Sequence, residues 1–135
     1  MKTIGRKEVV NLPALGLRGI NAKIDTGAYT SSIHCDKIKK SERGISCQFH
    51  NPNNKEIIYQ HVTFKEFSKR TVKSSNGVEE ERFAVWTEII IGGESFPIEL
   101  TLTSRIEMKS PLLIGRKFLK KKYLVDVSKK NILFK

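Results

Sequence analysis

Apolar and polar residues alternate along much of this chain with a period of two, the spacing of a strand that buries one face. Ile20-Asn21-Ala22-Lys23-Ile24-Asp25 shows the pattern plainly. Lys7–Leu12 reads as a first strand, closed by Pro13, which has no amide to give to a ladder. Further strands are predicted at Ser46–Phe49, Ile57–Phe64, Arg82–Ile91 and Phe96–Thr103. Leu112–Ile114 is a short, wholly apolar strand, and Leu124–Asp126 and Ile132–Phe134 close the chain. Turn chemistry lies between these segments. Asn51-Pro52-Asn53-Asn54 is one turn, Gly92-Gly93 is another, and Lys73-Ser74-Ser75-Asn76-Gly77 forms a hairpin end, since Asn-Gly suits positive φ. Arg116–Lys121 is long enough for one or two helical turns. Many short strands with turns at regular spacing predict an all-β barrel or sandwich. No repeat or linker divides residues 1–135, so a single domain is expected.

Composition narrows this picture. Hydrophobic residues make up 39% and charged residues 29% of the 135, the balance of a globular chain and not of a disordered one. No apolar run reaches the roughly 18–20 residues of a membrane span, so no membrane partner is expected. Met1–Lys7 lacks the apolar stretch of a signal peptide, and a cytoplasmic protein is expected. Two cysteines cannot build a disulfide scaffold, and free thiols are expected. Trp86 and the seven phenylalanines sit among alternating apolar residues and are expected to pack in the core.

The net charge of +11 is uneven: residues 76–115 carry three basic and seven acidic side chains, while 116–135 carry eight basic and one acidic. Such a charge attracts anionic partners, whether nucleic acid, a ribosomal surface or an acidic peptide. Lys37-Ile38-Lys39-Lys40 and Lys120-Lys121-Lys122 read most simply as solvated faces.

The run that carries chemistry is Ala22-Lys23-Ile24-Asp25-Thr26-Gly27-Ala28-Tyr29-Thr30-Ser31-Ser32. An alternating strand runs straight into Asp-Thr-Gly, which places a carboxylate at a strand end. Gly27 permits a tight turn there, and the Thr26 hydroxyl can both donate and accept. Near the C-terminus lies Pro111-Leu112-Leu113-Ile114-Gly115-Arg116-Lys117-Phe118-Leu119, an apolar strand that ends in Gly-Arg ahead of a short helix. Between the two motifs stands the hairpin Arg70–Phe83.

In this order the motifs resemble retropepsin-like aspartic proteases. The stretch Ala22–Ala28 with Thr30-Ser31-Ser32-Ile33-His34, then Pro97–Thr103 and Leu113–Arg116, is similar to the bacterial RimK-associated branch often labelled "ATP-dependent zinc protease". The resemblance spans about Gly5 to Asp126. It implies a closed retropepsin-like β-barrel with a flap hairpin and one short C-terminal helix. It also implies that Asp25 is catalytic, that Thr26, Gly27, Ala28, Gly115 and Arg116 support its loop, and that Ser74, Ser75, Asn76 and Gly77 form the flap tip. Aspartic peptidases use two carboxylates sharing one proton. The chain has three aspartates, Asp25, Asp36 and Asp126, and only Asp25 sits in Asp-Thr-Gly. One chain therefore supplies half a site, and a homodimer is expected to complete it. Asp126 is expected to serve a turn. In viral retropepsins the Gly-Arg arginine pairs with an aspartate at the position held here by Tyr29, so Arg116 must take another partner, a carboxylate elsewhere or backbone carbonyls.

The family label raises zinc and ATP. The chain has neither His-Glu-x-x-His nor a Gly-x-x-x-x-Gly-Lys-Ser/Thr loop. His34, Cys35, Cys47, His50 and His61 are the residues that could ligate a metal, but adjacent ligands on a strand point to opposite faces, so no metal and no cofactor are expected. Two alternatives to an aspartic endopeptidase of acidic or glutamate-rich peptides remain open at this level. One is a non-catalytic barrel that binds an acidic peptide, RNA or the ribosome, although no RNA-binding signature is present. The other is a zinc-dependent hydrolase.

Overall fold

The computed structural model describes residues 1–50, 59–73, 77–104 and 110–133, with Tyr59 described by its backbone alone. The strands are β1 (Lys2–Ile4), β2 (Lys7–Leu12), β3 (Leu17–Ile24), β4 (Ser31–His34), β5 (Asp36–Ser41), β6 (Gly44–His50), β7 (Tyr59–Phe64), β8 (Ser68–Lys73), β9 (Glu79–Ile91), β10 (Glu94–Thr103), β11 (Leu112–Ile114) and β12 (Tyr123–Val125). A 3-10 turn at Pro13–Leu15 separates β2 from β3, and one helix, α1 (Arg116–Leu119), follows β11.

Six strands close into a barrel in the order β10-β4-β11-β3-β2-β9, and β9 returns to pair with β10. Strand β8 adds to the outer edge of β9, while β5-β6-β7 form a separate antiparallel sheet and β1 pairs with β12 in parallel. Period-two patterning decides what is inside. Ile20, Ala22 and Ile24 of β3, Ile98, Leu100 and Leu102 of β10, and Val85, Ile89 and Ile91 of β9 all enter one core. Leu112 and Ile114 fill the gap between β3 and β4, where β11 pairs parallel to the first and antiparallel to the second. At the tip joining β9 to β10, Gly92 (φ 59°) and Gly93 (φ 79°) both take the left-handed conformation that a two-residue hairpin needs.

The all-β barrel with one short helix matches the expectation, and β2 and β11 have the expected bounds. Four strands, β1, β4, β5 and β8, carry too little apolar alternation to be read as strands. Strand β5 is the lysine segment read as a solvated face; it is an edge strand, and its exposed lysines guard that edge against pairing with other chains. Two expectations are corrected. Trp86 is 58% exposed instead of buried, because the core-facing positions of β9 are Val85, Ile89 and Ile91. Phe49 and Phe118 are buried as expected. Ile132 and Leu133 form no strand; their amides donate instead to the carboxylate of Glu8, at 3.3 and 3.0 Å. That carboxylate is fully buried and also accepts from the Gly5 amide at 2.8 Å, so it ties the end of the chain to its beginning. The turn at 51–54, residues 57 and 58 of the strand predicted at Ile57–Phe64, and Phe134 lie outside the described residues.

Candidate active site

Asp25 follows the last residue of β3, whose Ile24 side chain is anchored in the core. The Asp25 amide donates to the Ile114 carbonyl at 2.8 Å, so β11 fixes the backbone on which the carboxylate stands. The loop then turns back on itself. Ala28 N–H donates to the Asp25 carbonyl at 3.2 Å, and Gly27 N–H donates to Asp25 Oδ1 at 3.1 Å. A Cβ at position 27 would stand 3.3 Å from that same carboxylate oxygen, so glycine keeps the approach to Asp25 clear. Asp25 is half-buried, and Thr26 and Gly27 are exposed.

The Gly115-Arg116 motif closes the loop from behind. Arg116 N–H and Lys117 N–H donate to the Ala28 and Tyr29 carbonyls, each at 2.9 Å. Gly115 N–H donates to Ser31 Oγ at 3.0 Å. A side chain at 115 is excluded, since its Cβ would lie 2.5 Å from the Thr30 carbonyl oxygen and 2.7 Å from that of Tyr29. The partner of Arg116 is a backbone carbonyl: its Nη1 donates to Thr26 O at 2.9 Å, and its guanidinium sits 5.9 Å from the centre of the Tyr29 ring. Asp25, Thr26, Gly27, Ala28, Gly115 and Arg116 thus form one hydrogen-bonded unit. Of the residues expected at a flap tip, Gly77 is exposed with φ 84°, and Ser74, Ser75 and Asn76 lie outside the described residues.

The face of the sheet turned away from the core mixes polar and apolar residues. Its cross-strand row runs Lys23, Leu113, Ser32, Thr101, Ala84 and Ser68 across β3, β11, β4, β10, β9 and β8. Ser32 Oγ and Thr101 Oγ1 are hydrogen-bonded at 2.7 Å. Arg70 and Arg82 stand directly opposite one another on β8 and β9. Glu99, with only 4% of its side chain exposed, takes Arg70 at 2.9 and 3.3 Å and Lys117 at 3.0 Å. Burial pushes its carboxyl upward, but the hydrogen bonds and charges of Lys117 and Arg70 outweigh that and hold it below the ordinary carboxylate range. Lys117 also lies 5.7 Å from the Trp86 ring, beside a cavity of about 210 Å³ lined by Thr30, Trp86, Glu99 and Lys117.

The other candidate ligands do not assemble. Cys35 and Cys47 are free, buried and in contact, and the hydrogen bond between them together with burial pushes the Cys35 thiol far up. His34 instead faces Asp36 at 3.6 Å, and His61 is exposed. Among the described residues no three His, Cys, Asp or Glu side chains converge in a way that could hold a metal ion. Asp126 accepts from the Ser128 amide at 3.0 Å and its hydroxyl at 2.6 Å, the turn role expected of it.

A family model described as retropepsin-like aspartic endopeptidase RimB matches residues 3–135. The chain belongs to the RimB-like family. Among curated relatives, a probable alpha-L-glutamate ligase of Shewanella pealeana is 39% identical over 129 residues, which cover 93% of this chain and 28% of the relative. One of Parasynechococcus marenigrum, carrying the same description, is 35% identical over 127 residues, covering 91% of this chain and 27% of the relative. The RimB-like chain therefore spans little more than a quarter of the curated relatives it matches. A Legionella pneumophila protein of unknown function shares its fold, with a TM-score of 0.74 at 24% identity over 98% of each chain. Two features of this RimB-like site are not legible in the sequence: the buried Glu99 and the opposed Arg70 and Arg82. Both occupy polar positions of alternating strands, which read as solvent-facing until the register is known.

Proposed function

We propose that this RimB-like chain is an aspartic endopeptidase that acts as a homodimer on acidic, glutamate-rich peptides. The observation that carries the reading is Asp25 itself, held at a strand end by the Ile114 carbonyl, with its loop tied to Gly115-Arg116 and no side chain at position 27 to cover it. Of the other aspartates, Asp36 pairs with His34 and Asp126 with Ser128, so the second carboxylate comes from a second copy. The surface beside Asp25 suits such a copy. Exposed Tyr29 borders an open hollow of about 530 Å³ that is also lined by Thr26, Arg116, Leu119 and Tyr123.

In the dimer the two Asp25 carboxyls share one proton, because two like charges so close cannot both ionise. The ionised one takes a proton from water as the water oxygen bonds to the scissile carbonyl carbon. The protonated one donates to the carbonyl oxygen. The resulting tetrahedral diol breaks its C–N bond as the amide nitrogen takes a proton, which leaves a carboxylic acid and an amine. The net charge of +11 favours acidic peptides. In the curated relatives a domain similar to this chain shares a polypeptide described as a glutamate ligase, which suits a substrate made of glutamate.

The test is cleavage of mixed peptides, some glutamate-tailed, between pH 4 and 8. Asp25→Asn should lower turnover by roughly 10²–10⁴-fold while light scattering still finds the dimer. Equal turnover by the variant would overturn the reading. No cleavage of any peptide by a confirmed dimer would favour a binding role for the barrel.

A further inference from the structure

We infer that Arg82 is the residue that reads an acidic side chain next to the scissile bond, and that Glu80 occupies its guanidinium until substrate arrives. The inference rests on the peptidase reading above and assigns a specificity residue to that site.

The inner face of the hairpin formed by β8 and β9 carries Ser68, Arg70 and Val72 opposite Ala84, Arg82 and Glu80. Two arginines directly opposed on one face repel one another, a costly pairing unless anions separate them. The structure answers the two unequally. Arg70 has both oxygens of the buried Glu99. Among the described residues Arg82 has no buried carboxylate of that kind, although only 8% of its side chain is exposed. Its Nη1 donates to Ser32 Oγ at 3.3 Å. The half-exposed Glu80 approaches it loosely, with Oε2 at 3.5 Å from Nη2 and Oε1 at 3.4 Å from Nε. Nε itself has no hydrogen-bond partner among the described residues. A buried guanidinium with an unused donor is expensive to keep.

The position suits a substrate contact. Ser32 lies in the row Lys23-Leu113-Ser32, so it stands two strand spacings, about 10 Å, from β3, the strand that leads into Asp25. A peptide bound over Asp25 therefore brings a side chain one or two residues from the cleaved bond above Ser32 and Arg82. Around that point lie the Ser32 and Thr101 hydroxyls, the unused Nε and the exposed Lys23. Donors and positive charge dominate, and a planar guanidinium matches a carboxylate bidentately. Glu80, on the same strand face two residues away, supplies the same chemical group at long range. It is a resident carboxylate for the substrate's to displace.

The experiment compares a glutamate-rich peptide with its glutamine counterpart of equal length. Wild type, Arg82→Met, Arg82→Lys and Glu80→Gln are assayed, with exposed Lys39→Met as a control for net charge. Wild type should favour the glutamate peptide in kcat/KM. Arg82→Met should lose about 10–100-fold on that peptide and little on the glutamine peptide, and Arg82→Lys should recover part of the loss. Glu80→Gln should gain several-fold on the glutamate peptide alone, through KM. An unchanged preference in Arg82→Met, or no selective gain in Glu80→Gln, overturns the inference; the second arm decides even where Arg82→Met folds poorly. Anisotropy of labelled peptides on an Asp25→Asn background separates the two claims. Selective glutamate binding that Arg82→Met abolishes, with no cleavage by wild type, would sink the peptidase reading and sustain Arg82. Cleavage with a preference indifferent to Arg82 would do the reverse, and neither selective binding nor cleavage would sink both.

Discussion

Asp25 was legible because its chemistry is contiguous: Asp-Thr-Gly directly after an alternating strand gives both the acid and the turn that presents it. Gly115 was singled out only through the resemblance that Leu113-Ile114-Gly115-Arg116 carries, and the structure adds the physical cause. Its place is taken by two carbonyl oxygens of the loop that carries Asp25. Gly115→Ala forces a methyl against backbone that cannot yield without moving that loop. The expected cost is about 1–3 kcal/mol, read as a fall of several degrees in the thermal midpoint, with the proposed peptidase activity falling further than stability. An unshifted midpoint would show that the loop is softer than its hydrogen bonds imply. Arg82 was not legible. It lies between Glu81 and Phe83 on an alternating strand, and only the register with Arg70 and the reach to Ser32 set it apart from a solvated arginine.

Strand β10 shows what alternation can and cannot say. Its apolar positions Ile98, Leu100 and Leu102 were placed inside by the pattern alone. The positions between them, Glu99, Thr101 and Thr103, are polar and yet buried too. The pattern assigns them to solvent, but Arg70 of β8 and Lys117 of α1 cover Glu99, and a sequence window does not show what will lie across it. Glu99 then sets an acid limit on stability. Its folded-state pKa is depressed, so its contribution is complete above the unfolded carboxylate pKa of about 4.3 and is lost as pH falls through the lower folded value. Denaturant midpoints measured from pH 7 to pH 2 should drop in that acidic window, and Glu99→Gln should flatten the drop. At pH 7 the variant should be weaker by about 2 kcal/mol, since hydrogen bonds to charged groups are being exchanged for weaker ones. Curves of equal slope for variant and wild type would remove Glu99 from the acid response.

At the scale of the molecule, the all-β class followed from short strands and turn spacing, while the pattern left barrel and sandwich open and closure was expected only from the family resemblance. What could not be read was pairing between strands distant in sequence, such as β4 beside β10, where Ser31-Ser32-Ile33-His34 carries hardly any strand signal. The half-site has its own consequence here. If each copy supplies one Asp25, activity per chain should rise with protein concentration and level off as the dimer fraction saturates, measured by turnover beside light scattering. Activity per chain that stays constant into dilutions where only monomer scatters would refute a shared site.

The pairing of β1 with β12 also sets a clock. Strand β1, the first in the chain, has its hydrogen-bonding partner only in β12, and Glu8 finds Ile132 and Leu133 later still. During synthesis, residues 2–4 leave the ribosome long before anything exists for them to pair with. The pairing of β1 therefore waits until residues 123–125 have been made, and the Glu8 contacts wait for residues 132 and 133. Refolding from denaturant should accordingly be slow for a chain of this size, in the millisecond-to-second range of proteins built on distant contacts, and stopped-flow fluorescence from Trp86 would time it.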